Sequence, residues 1–260
     1  MSVLQTDVDG GVVRLTLNRP DKRNALDTEL LEALRTTLER LASDEGCRCI
    51  VLTGAGKAFC AGGDVNDMVG RRGRALATRQ RLEWGLNAIA LSMMEMEKPI
   101  LAKVNGDAFG AGCNLALACD LLYADAAARF GQTFVRMGLI PDTGGTFSLP
   151  RRIGLHRAKE LVFLGTSIDA HEAARLGLVN AALPSAELDA VVDDVARRLA
   201  AGPTRAIGMA KRALTRGLSS DLSAALEYEA YAQGVCFTTD DHAEGVDSFL
   251  GKREPTFRGR

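Results

Sequence analysis

The stretch that decides the fold reads ILAKVNGDAFGAGCNLALACDLLYA and spans residues 100–124. Its opening, residues 100–105, has the apolar composition of a buried strand. A turn with three glycines (106–112), a helical pattern (113–119) and a second short apolar strand (120–124) follow. Strand, glycine turn, helix and strand in this order are typical of α/β folds. The stretch therefore predicts an α/β protein whose glycines mark the connections between strands and helices.

The same alternation extends towards the amino terminus. Residues 11–18 (GVVRLTLN) alternate apolar and polar side chains as a half-buried strand does, and residues 47–53 (CRCIVLT) resemble a buried strand. Between them, Asp27 or Thr28 can cap a helix, and residues 75–96 predict a looser helix. The first of these helices has one apolar stripe, formed by Leu30, Leu31, Leu34, Leu38 and Leu41.

From about residue 157 onward, helical patterns dominate the chain. The predicted helices are 157–164, 169–176, 186–201, 203–216 and 219–233. They are interrupted by Gly177-Leu178-Val179 and by Pro184. The sequence therefore predicts a mainly α/β core of about 190 residues followed by a helical region.

Composition excludes several classes of protein. With 47% hydrophobic and 25% charged residues, the 260-residue chain has ordinary globular usage. Lys and Arg number 32 against 33 Asp and Glu, and this net charge of −1 disfavours a nucleic-acid-binding surface. The start MSVLQTDVDG does not resemble a signal peptide, and no apolar run approaches the ~18 residues of a membrane span. We expect a cytoplasmic protein without a membrane partner. The one unusual feature of the composition is its glycine content, 27 residues, which exceeds the ~7% average.

The cysteines and histidines do not predict a metal site. The six cysteines contain no C-x-x-C pair of the kind that zinc and redox sites use. The only three histidines, His156, His171 and His242, are far apart in the chain, which disfavours a Ser-His-Asp triad. We expect reduced, partly buried thiols and no bound metal.

Three glycine clusters are candidates for chemistry. Residues 61–64 (AGGD) and 106–112 (GDAFGAG) follow buried strands, where their N–H groups can bind an anion or a developing oxyanion, or can simply form tight turns. Neither is a nucleotide loop, because 106–112 lacks the Lys-Ser/Thr ending and the G-x-G-x-x-G spacing. In the third cluster, 140–146 (IPDTGGT), Asp142 is a candidate for a raised pKa and proton transfer, or for a helix cap.

Five segments together resemble the enoyl-CoA hydratase/isomerase, or crotonase, family. They are Asn18-Arg19-Pro20 with Asn24-Ala25-Leu26, residues 59–64 (FCAGGD), residues 106–120 (GDAFGAGCNLALACD), residues 138–146 (GLIPDTGGT) and residues 173–179 (AARLGLV). The resemblance implies a crotonase-like spiral of ββα turns over residues 1–195 and a C-terminal helical trimerisation region over residues 196–260. It also implies a homotrimer or hexamer that takes an acyl-CoA thioester, with coenzyme A as part of the substrate and no separate cofactor.

The family's site residues carry over onto particular positions. The resemblance implies two backbone N–H donors for the thioester oxygen, at Ala61 and Ala111. It implies contacts with coenzyme A at Arg23, Ala25, Gly62, Gly63, Asp64 and Val65, with Phe249 and Lys252 reaching in from a neighbouring subunit. The acyl pocket falls on Met68, Trp84, Phe134 and Leu139. Arg23 and Lys252 are equally interpreted as surface cations, and Met68 and Trp84 as core residues.

The chain departs from the hydratases at two positions. Hydratases of the family use two glutamates to position and activate water, and this sequence has Asn114 and Phe134 in their places. Neither residue can act as a base, which disfavours hydration. Asn114 either holds a water molecule or caps its helix. Asp142 falls where isomerases of the family carry a catalytic acid, and residues 129–150 look most like the phenylacetate-pathway isomerase branch.

The sequence therefore predicts an enoyl-CoA isomerase. Asp142 would move a proton between two carbons of a 3-enoyl-CoA while Ala61 and Ala111 hold the enolate oxygen. Phe134 would act as an apolar wall that raises the pKa of Asp142. The alternatives are a hydratase that uses Asp142 and an ordered water, an acyl-CoA-binding protein without catalysis, and a thioester hydrolase.

Overall fold

The structure, a computed structural model, describes residues 2–260, which contain ten strands and twelve α-helices. The strands are β1 (Leu4–Asp9), β2 (Val12–Leu17), β3 (Cys49–Gly54), β4 (Ala58–Cys60), β5 (Ile100–Val104), β6 (Asp107–Phe109), β7 (Leu121–Asp125), β8 (Arg129–Gly131), β9 (Ser167–Asp169) and β10 (Ala181–Leu183). The helices are α1 (Thr28–Ser43), α2 (Val65–Val69), α3 (Ala75–Arg81), α4 (Ala88–Glu95), α5 (Ala111–Leu117), α6 (Gly145–Ile153), α7 (Leu155–Leu164), α8 (Ala170–Arg175), α9 (Ser185–Ala201), α10 (Thr204–Gly217), α11 (Leu222–Cys236) and α12 (Asp240–Leu250).

The strands form two sheets, and the chain alternates between them. The large sheet has the order β1-β2-β3-β5-β7-β10, and all its pairs are parallel except β1 with β2. The small sheet has the order β4-β6-β8-β9, with β9 antiparallel. From β3 to β8, each strand of the large sheet is followed by one of the small sheet and then by helices. This repeat confirms the α/β class and the spiral of ββα turns.

The leucine stripe of helix α1 packs against the large sheet. The Asp27 carboxylate accepts a hydrogen bond from the Leu30 N–H at 2.9 Å and so caps the helix, as predicted. The five leucines of the stripe are at most 1% exposed and share one core cluster with Leu15 and Ile50 of the large sheet. Burial of each leucine contributes roughly 1.5–3 kcal/mol relative to exposure. The stripe therefore fixes which face of α1 meets the sheet.

Strand β3 is buried on both faces because helices cover both sides of the large sheet. Ile50 belongs to the main core with α1, whereas Val51 points to the opposite face and packs with Leu188 of α9. Parallel strands covered on both sides need a continuous apolar run rather than an alternating one. The run of residues 47–53 is such a segment, and its interpretation as a buried strand is confirmed.

Helix α5 lies unusually close to strand β4. A Cβ atom on Gly112 would lie 2.4 Å from the carbonyl oxygen of Cys60, so only glycine fits at this position. The helix begins at Ala111, two residues earlier than predicted, and β6 occupies part of the stretch that the sequence indicated as a glycine turn. Part of the glycine surplus therefore serves close packing between layers.

Several elements were not predicted from the sequence. Strands β4, β6, β8 and β9 have three residues each, which is too short for a periodic pattern. Strand β1 and helices α6 and α12 are further additions. The predicted helix 75–96 is divided into α3 and α4 by a π-helical turn over Leu82–Asn87. Single 3₁₀ turns cover Pro20–Lys22 and Thr133–Met137.

The C-terminal helices α10, α11 and α12 form the helical region expected from the sequence. Helix α9, which precedes them, crosses the predicted division at residue 195 without a break. One face of α9 packs on the large sheet through Leu188, Val192, Ala196 and Ala200. The division into 1–195 and 196–260 stays a prediction. Within residues 2–260, no helix combines the length and the apolar character needed to cross a bilayer.

Candidate active site

The two loop segments predicted to hold coenzyme A are bonded side by side. The Ala61 N–H donates to the Arg23 carbonyl oxygen at 2.9 Å. The Leu26 N–H donates to the Gly62 carbonyl oxygen at 2.8 Å, and the Asp64 N–H donates to the Leu26 carbonyl oxygen at 3.1 Å. The segments therefore pair like two short parallel strands, and the structure brings these distant parts of the chain together.

This pairing determines which N–H group of the loop is free. Because the Ala61 N–H is committed to Arg23, Ala61 is not the free donor that the sequence predicts. Successive backbone groups of an extended segment point to opposite sides. The groups on either side of Gly63 face Leu26, so the Gly63 N–H points away and has no acceptor within residues 2–260. The candidate donor therefore moves from Ala61 to Gly63.

The second predicted donor, Ala111, is the first residue of helix α5, after the N-cap Gly110. The first amides of a helix have no acceptor in the preceding turn and carry the positive end of the helix dipole. The first bond of α5 runs from the Asn114 N–H to the Gly110 carbonyl oxygen, which leaves the Ala111 N–H free among the described residues. A Cβ atom on Gly62 would lie 3.5 Å from the Ala111 nitrogen. The two donor loops are therefore adjacent.

Asp142 is a half-buried carboxylic acid in the loop before α6. Burial raises its pKa above the ordinary value. The Thr143 hydroxyl, which donates to Oδ1 at 2.8 Å, and the charge of Arg81 both lower the pKa without cancelling the effect of burial. No side chain caps α6, so the helix-cap interpretation of Asp142 is not supported. A carboxyl group with a raised pKa is suited to accepting and returning a proton near neutral pH.

Asn114 is buried and supports the Asp142 loop. Its side chain is 1% exposed, its Nδ2 donates to the Asp142 carbonyl oxygen at 2.9 Å, and its Oδ1 accepts from Gln132 at 2.8 Å. A Cβ atom on Gly145 would lie 2.2 Å from this amide, so the loop packs directly on it. The Asn114 side chain does not cap α5, and its predicted contact with a water molecule or the substrate stays a prediction. It positions the backbone next to the acid.

Two of the predicted acyl-pocket residues, Phe134 and Met68, border the donors. The Cζ atom of Phe134 lies 3.8 Å from the place where a Cβ of Gly110 would sit, and Phe134 is 7% exposed. The Leu139 N–H donates to the Phe134 carbonyl oxygen at 3.0 Å, and the Leu139 side chain is exposed. Met68 packs its Cε against Gly63, 2.7 Å from a Cβ placed there. Phe134 and Met68 therefore give the donors apolar neighbours, and the place of Leu139 in the acyl pocket stays a prediction.

Trp84 lies in the π-helical turn and is 38% exposed, so it is not a core residue. Single π turns inside helices are frequent at functional sites. The place of Trp84 in the acyl pocket stays a prediction.

The residues predicted to bind coenzyme A differ in how their side chains are used. Arg23 is exposed, with a left-handed backbone (φ 50°), while Ala25 is half-buried and Val65 is exposed at the start of α2. Asp64 is different, because its carboxylate accepts from Arg19 at 3.0 Å and from the Asn66 N–H at 2.9 Å. The Asp64 side chain therefore holds the loop together, and the predicted contact of Asp64 with coenzyme A stays a prediction.

Phe249 and Lys252 lie apart from the donor loops. Both are exposed at the end of α12, and Phe249 lines a groove between α10, α11 and α12. Their predicted contribution to the site of a neighbouring subunit stays a prediction.

Two buried amides organise the site and were not singled out by the sequence. Asn24, which is fully buried, donates to the carbonyl oxygens of Ala55 at 2.9 Å and Ala58 at 2.8 Å. Gln132 is 1% exposed and orients Asn114. The available signal was that Asn24 belongs to one of the segments that carry the family resemblance, and asparagine tolerates the left-handed φ of 57° found there.

Residues 2–260 contain no group of three or more His, Cys, Asp or Glu side chains arranged to hold a metal ion. Five of the six cysteines are buried, as expected, and burial raises the pKa of the Cys60 thiol to about 12. Such thiols are protonated at neutral pH and are poor nucleophiles. The candidate chemistry therefore rests on Asp142 and backbone N–H groups. The absence of a cofactor stays a prediction.

Comparisons with known proteins place this site in context. The profile of the enoyl-CoA hydratase/isomerase family matches residues 7–260. Over 257 residues the chain is 40% identical to the Rhodobacter capsulatus protein named "Probable enoyl-CoA hydratase", covering 99% of this chain and 98% of that one. It is 37% identical over 261 residues to the 1,2-epoxyphenylacetyl-CoA isomerase of Escherichia coli K12, covering 100% of both. The crystal structure of an enoyl-CoA hydratase from Bacillus anthracis has a TM-score of 0.93 and 35% identity, covering 99% of this chain and 100% of that one. The chain belongs to the enoyl-CoA hydratase/isomerase family.

Proposed function

We propose that the protein is an enoyl-CoA isomerase that shifts a double bond by a 1,3-proton transfer through Asp142. The Asp142 carboxylate removes a proton from C2 of a 3-enoyl-CoA, and the electron pair moves onto the thioester oxygen as a dienolate. The same carboxyl group then returns the proton to C4, which gives the 2-enoyl-CoA. The observation that carries the proposal is a half-buried carboxyl group with a raised pKa in a site with two free N–H groups.

The N–H groups of Gly63 and Ala111 are the proposed donors to the enolate oxygen. Both are free of acceptors among the described residues and lie on adjacent loops. Fixed donors of this kind act most strongly where negative charge develops in the transition state. Phe134 supports the proposal as an apolar wall, because it limits access of water to the dienolate.

The site offers no acid at either of the two positions where the hydratases of the family have a glutamate. Asn114 is buried and bonded at both ends of its amide, and Phe134 carries no polar group. Hydration needs a group that activates water and another that supplies a proton. With Asp142 alone, transfer of one proton within the substrate is the simpler reaction.

A hydratase that uses Asp142 and water is the second candidate, because the Rhodobacter relative and the Bacillus structure carry hydratase names. Incubation of linear and cyclic 2- and 3-enoyl-CoAs in D₂O, followed by NMR, tests the proposal. An isomerase moves the double bond and introduces deuterium at C2 and C4. In a parallel incubation, solvent ¹⁸O in the product would establish the hydratase and contradict the isomerase.

The same incubations identify the remaining alternatives. Binding of every acyl-CoA without chemical change would indicate a non-catalytic acyl-CoA-binding protein. Release of free thiol would indicate a thioester hydrolase.

Ala111→Pro tests the second donor, because it removes the N–H without breaking the helix. Proline is well tolerated at the first position of a helix, where the N–H has no intrahelical acceptor. We expect kcat for isomerisation to fall about 10²- to 10³-fold, as on loss of one oxyanion donor. Ala111→Gly, which keeps the N–H, is the matched control and should retain most of the activity. Equal kcat values for the two variants, with equal melting temperatures, would refute the role of Ala111.

We propose further that the C-terminal helices join copies of the chain into a trimer or hexamer. Helices α10 to α12 enclose a largely apolar groove of about 910 Å³, and Phe249 and Leu250 at its edge are 83% and 74% exposed. Apolar surface of this kind is typical of contacts between proteins. Light scattering should give three or six times 27.7 kDa for the parent. Leu250→Glu should lower that mass, whereas Val8→Glu, on an exposed strand, should not. A monomeric parent would contradict the proposal.

A further inference from the structure

Helix α3 ends at Arg81, which is nine-tenths buried against the loop that carries the Gly63 donor. Arg81 Nη2 donates to Asp67 Oδ2 at 2.7 Å and to the Leu26 carbonyl oxygen at 3.3 Å. The same carbonyl oxygen accepts the Asp64 N–H. The Arg81 guanidinium therefore lies against the loop that carries Gly63.

Arg81 also has a donor that nothing in the described chain uses. Its Nε is buried and has no acceptor within residues 2–260. Buried N–H groups almost always have a partner, so an unused one on a charged side chain calls for an explanation. Leu26, whose carbonyl oxygen Arg81 binds, pairs with Gly63 of the donor loop, and the charge of Arg81 also lowers the pKa of the Asp142 carboxyl group. The unused donor is therefore part of the candidate site.

Two arginines share one carboxylate at this place. Arg71 Nη1 lies 3.8 Å from the same Asp67 Oδ2 that Arg81 binds. Burial and the nearby Arg81 charge both lower the pKa of Arg71, although Asp67 opposes them. The cluster of Arg71, Arg81 and Asp67 carries a net charge of +1. Excess charge in a partly buried cluster is stabilised when an ion of opposite sign binds.

The surrounding segment has the same bias. Residues 66–83 contain five arginines against Asp67 and Glu83, although the whole chain has a net charge of −1. Only Arg81 in this segment is nine-tenths buried, whereas Arg79 is exposed and pairs with Glu83. Of these five arginines, Arg81 is therefore the one whose charge is buried.

We propose that Arg81, supported by Arg71, forms an anion subsite beside Asp142 and that the natural acyl group ends in a carboxylate that binds there. This inference rests on the proposed acyl-CoA site. A guanidinium presents its N–H groups in a planar fork that matches the two oxygens of a carboxylate. The other source of an anionic oxygen in an acyl-CoA is a phosphate of coenzyme A, and the experiment distinguishes the two.

The experiment compares two ligands that differ only at the far end of the acyl chain. Equilibrium binding is measured by calorimetry with a saturated six-carbon acyl-CoA that ends in a methyl group and with its counterpart that ends in a carboxylate. KM and kcat are measured with the corresponding pair of 3-enoyl-CoAs. We expect the parent to prefer the carboxylate-ended ligands, and Arg81→Gln to weaken them by about 10- to 100-fold, the range of a charge-assisted hydrogen bond. The methyl-ended ligands should change less than about threefold.

Three further variants keep the outcome interpretable. Arg79→Gln removes the same charge from the same helix at an exposed position and should change neither ligand. Arg71→Gln tests the cluster without touching the buried side chain, and should weaken only the carboxylate-ended ligand. Arg81→Lys keeps the charge but loses the planar arrangement of N–H groups. Relative to Arg81→Gln, it should recover part of the preference for carboxylate-ended ligands.

The outcomes separate this inference from the proposed function. Equal weakening of both ligands by Arg81→Gln would overturn it and point to a phosphate contact or to a structural role. A parent without preference for the carboxylate would also overturn it, even if isomerisation is observed. If isomerisation is absent but the Arg81-dependent preference is present in the calorimetry, the proposed function fails and the anion subsite stands.

Discussion

Replacing Asp142 by asparagine lowers the isomerisation kcat by about 10²- to 10⁴-fold, the usual contribution of a general acid or base, and this is the largest effect on activity that we expect. The amide has nearly the shape of the carboxyl group and can still accept from the Thr143 hydroxyl, so the loop should keep its conformation. It cannot accept the C2 proton. Acyl-CoA affinity should stay within a few-fold of the parent, because the donors are backbone groups. Proton exchange with D₂O by NMR and equilibrium binding measure the two quantities.

Asp7→Asn is the matched control for this variant. Asp7 is an exposed carboxylate on strand β1, far along the chain from the site, and it forms no side-chain hydrogen bond within residues 2–260. Its replacement should leave both exchange and binding unchanged. Exchange of C2 and C4 protons by Asp142→Asn at the parental rate would show that another group carries the proton.

Because the pKa of Asp142 is raised, the activity of the parent and the relative stability of Asp142→Asn should both depend on pH. The base must be ionised, so kcat/KM of the parent should fall as the pH drops through a pKa above 3.8, the ordinary value. Because the pKa is raised on folding, the folded state binds this proton more tightly than the unfolded state does. The ionised Asp142 therefore costs stability, and that cost appears as the pH rises through the raised pKa. Asp142→Asn should be more stable than the parent at neutral pH, and this advantage should disappear in acid.

Replacing Lys211 by methionine should lower the free energy of unfolding by about 3 kcal/mol or more, the cost of leaving a buried charge without its partner. Lys211, on α10, is 9% exposed, and its Nζ lies 2.9 Å from Asp120 Oδ2 and donates to the Met93 carbonyl oxygen at 2.6 Å. Burial raises the pKa of Asp120, and Lys211 is the main group that opposes this. Methionine keeps the apolar stem but leaves the carboxylate without its bonded cation, with only the Ile100 N–H among residues 2–260 still donating to it at 2.7 Å. Urea unfolding at one fixed protein concentration measures the loss.

Two comparisons test the cause of that loss. The double variant Lys211→Met/Asp120→Asn should recover much of the stability, because the uncompensated charge is removed. Arg212→Met, one residue further along α10, breaks a more exposed pair with Glu97 and should cost at most about 1 kcal/mol. The loss in Lys211→Met should also shrink as the pH falls and Asp120 becomes protonated, since its raised pKa favours the proton in the folded state. A loss that is unchanged in the double variant and at low pH would mean that packing, not charge, is responsible.

Much of the fold could be predicted because it follows from local periodicity. The leucine stripe of α1 and the apolar runs of β3 and β5 each need only one segment to be recognised, since the spacing of side chains fixes the buried face. The three-residue strands of the small sheet could not be predicted in this way. They exist because each finds a neighbour supplied by a distant part of the chain.

The sequence by itself determined the α/β class, the family resemblance, the loss of both hydratase glutamates and the single acid at Asp142, because these depend only on which residues occur and in what order. The tertiary structure alone decided three features: which backbone N–H group is free, what the Asn114 amide contacts, and which arginine is buried. Pairing with residues 23–26 commits the Ala61 N–H and leaves that of Gly63 free, and packing against Gly145 makes Asn114 a support of the Asp142 loop. Burial of Arg81 against Asp67 distinguishes it from its exposed neighbours. The physical reason is common to all three, because the acceptor of a hydrogen bond and the burial of a charge are set by groups that are distant in the chain.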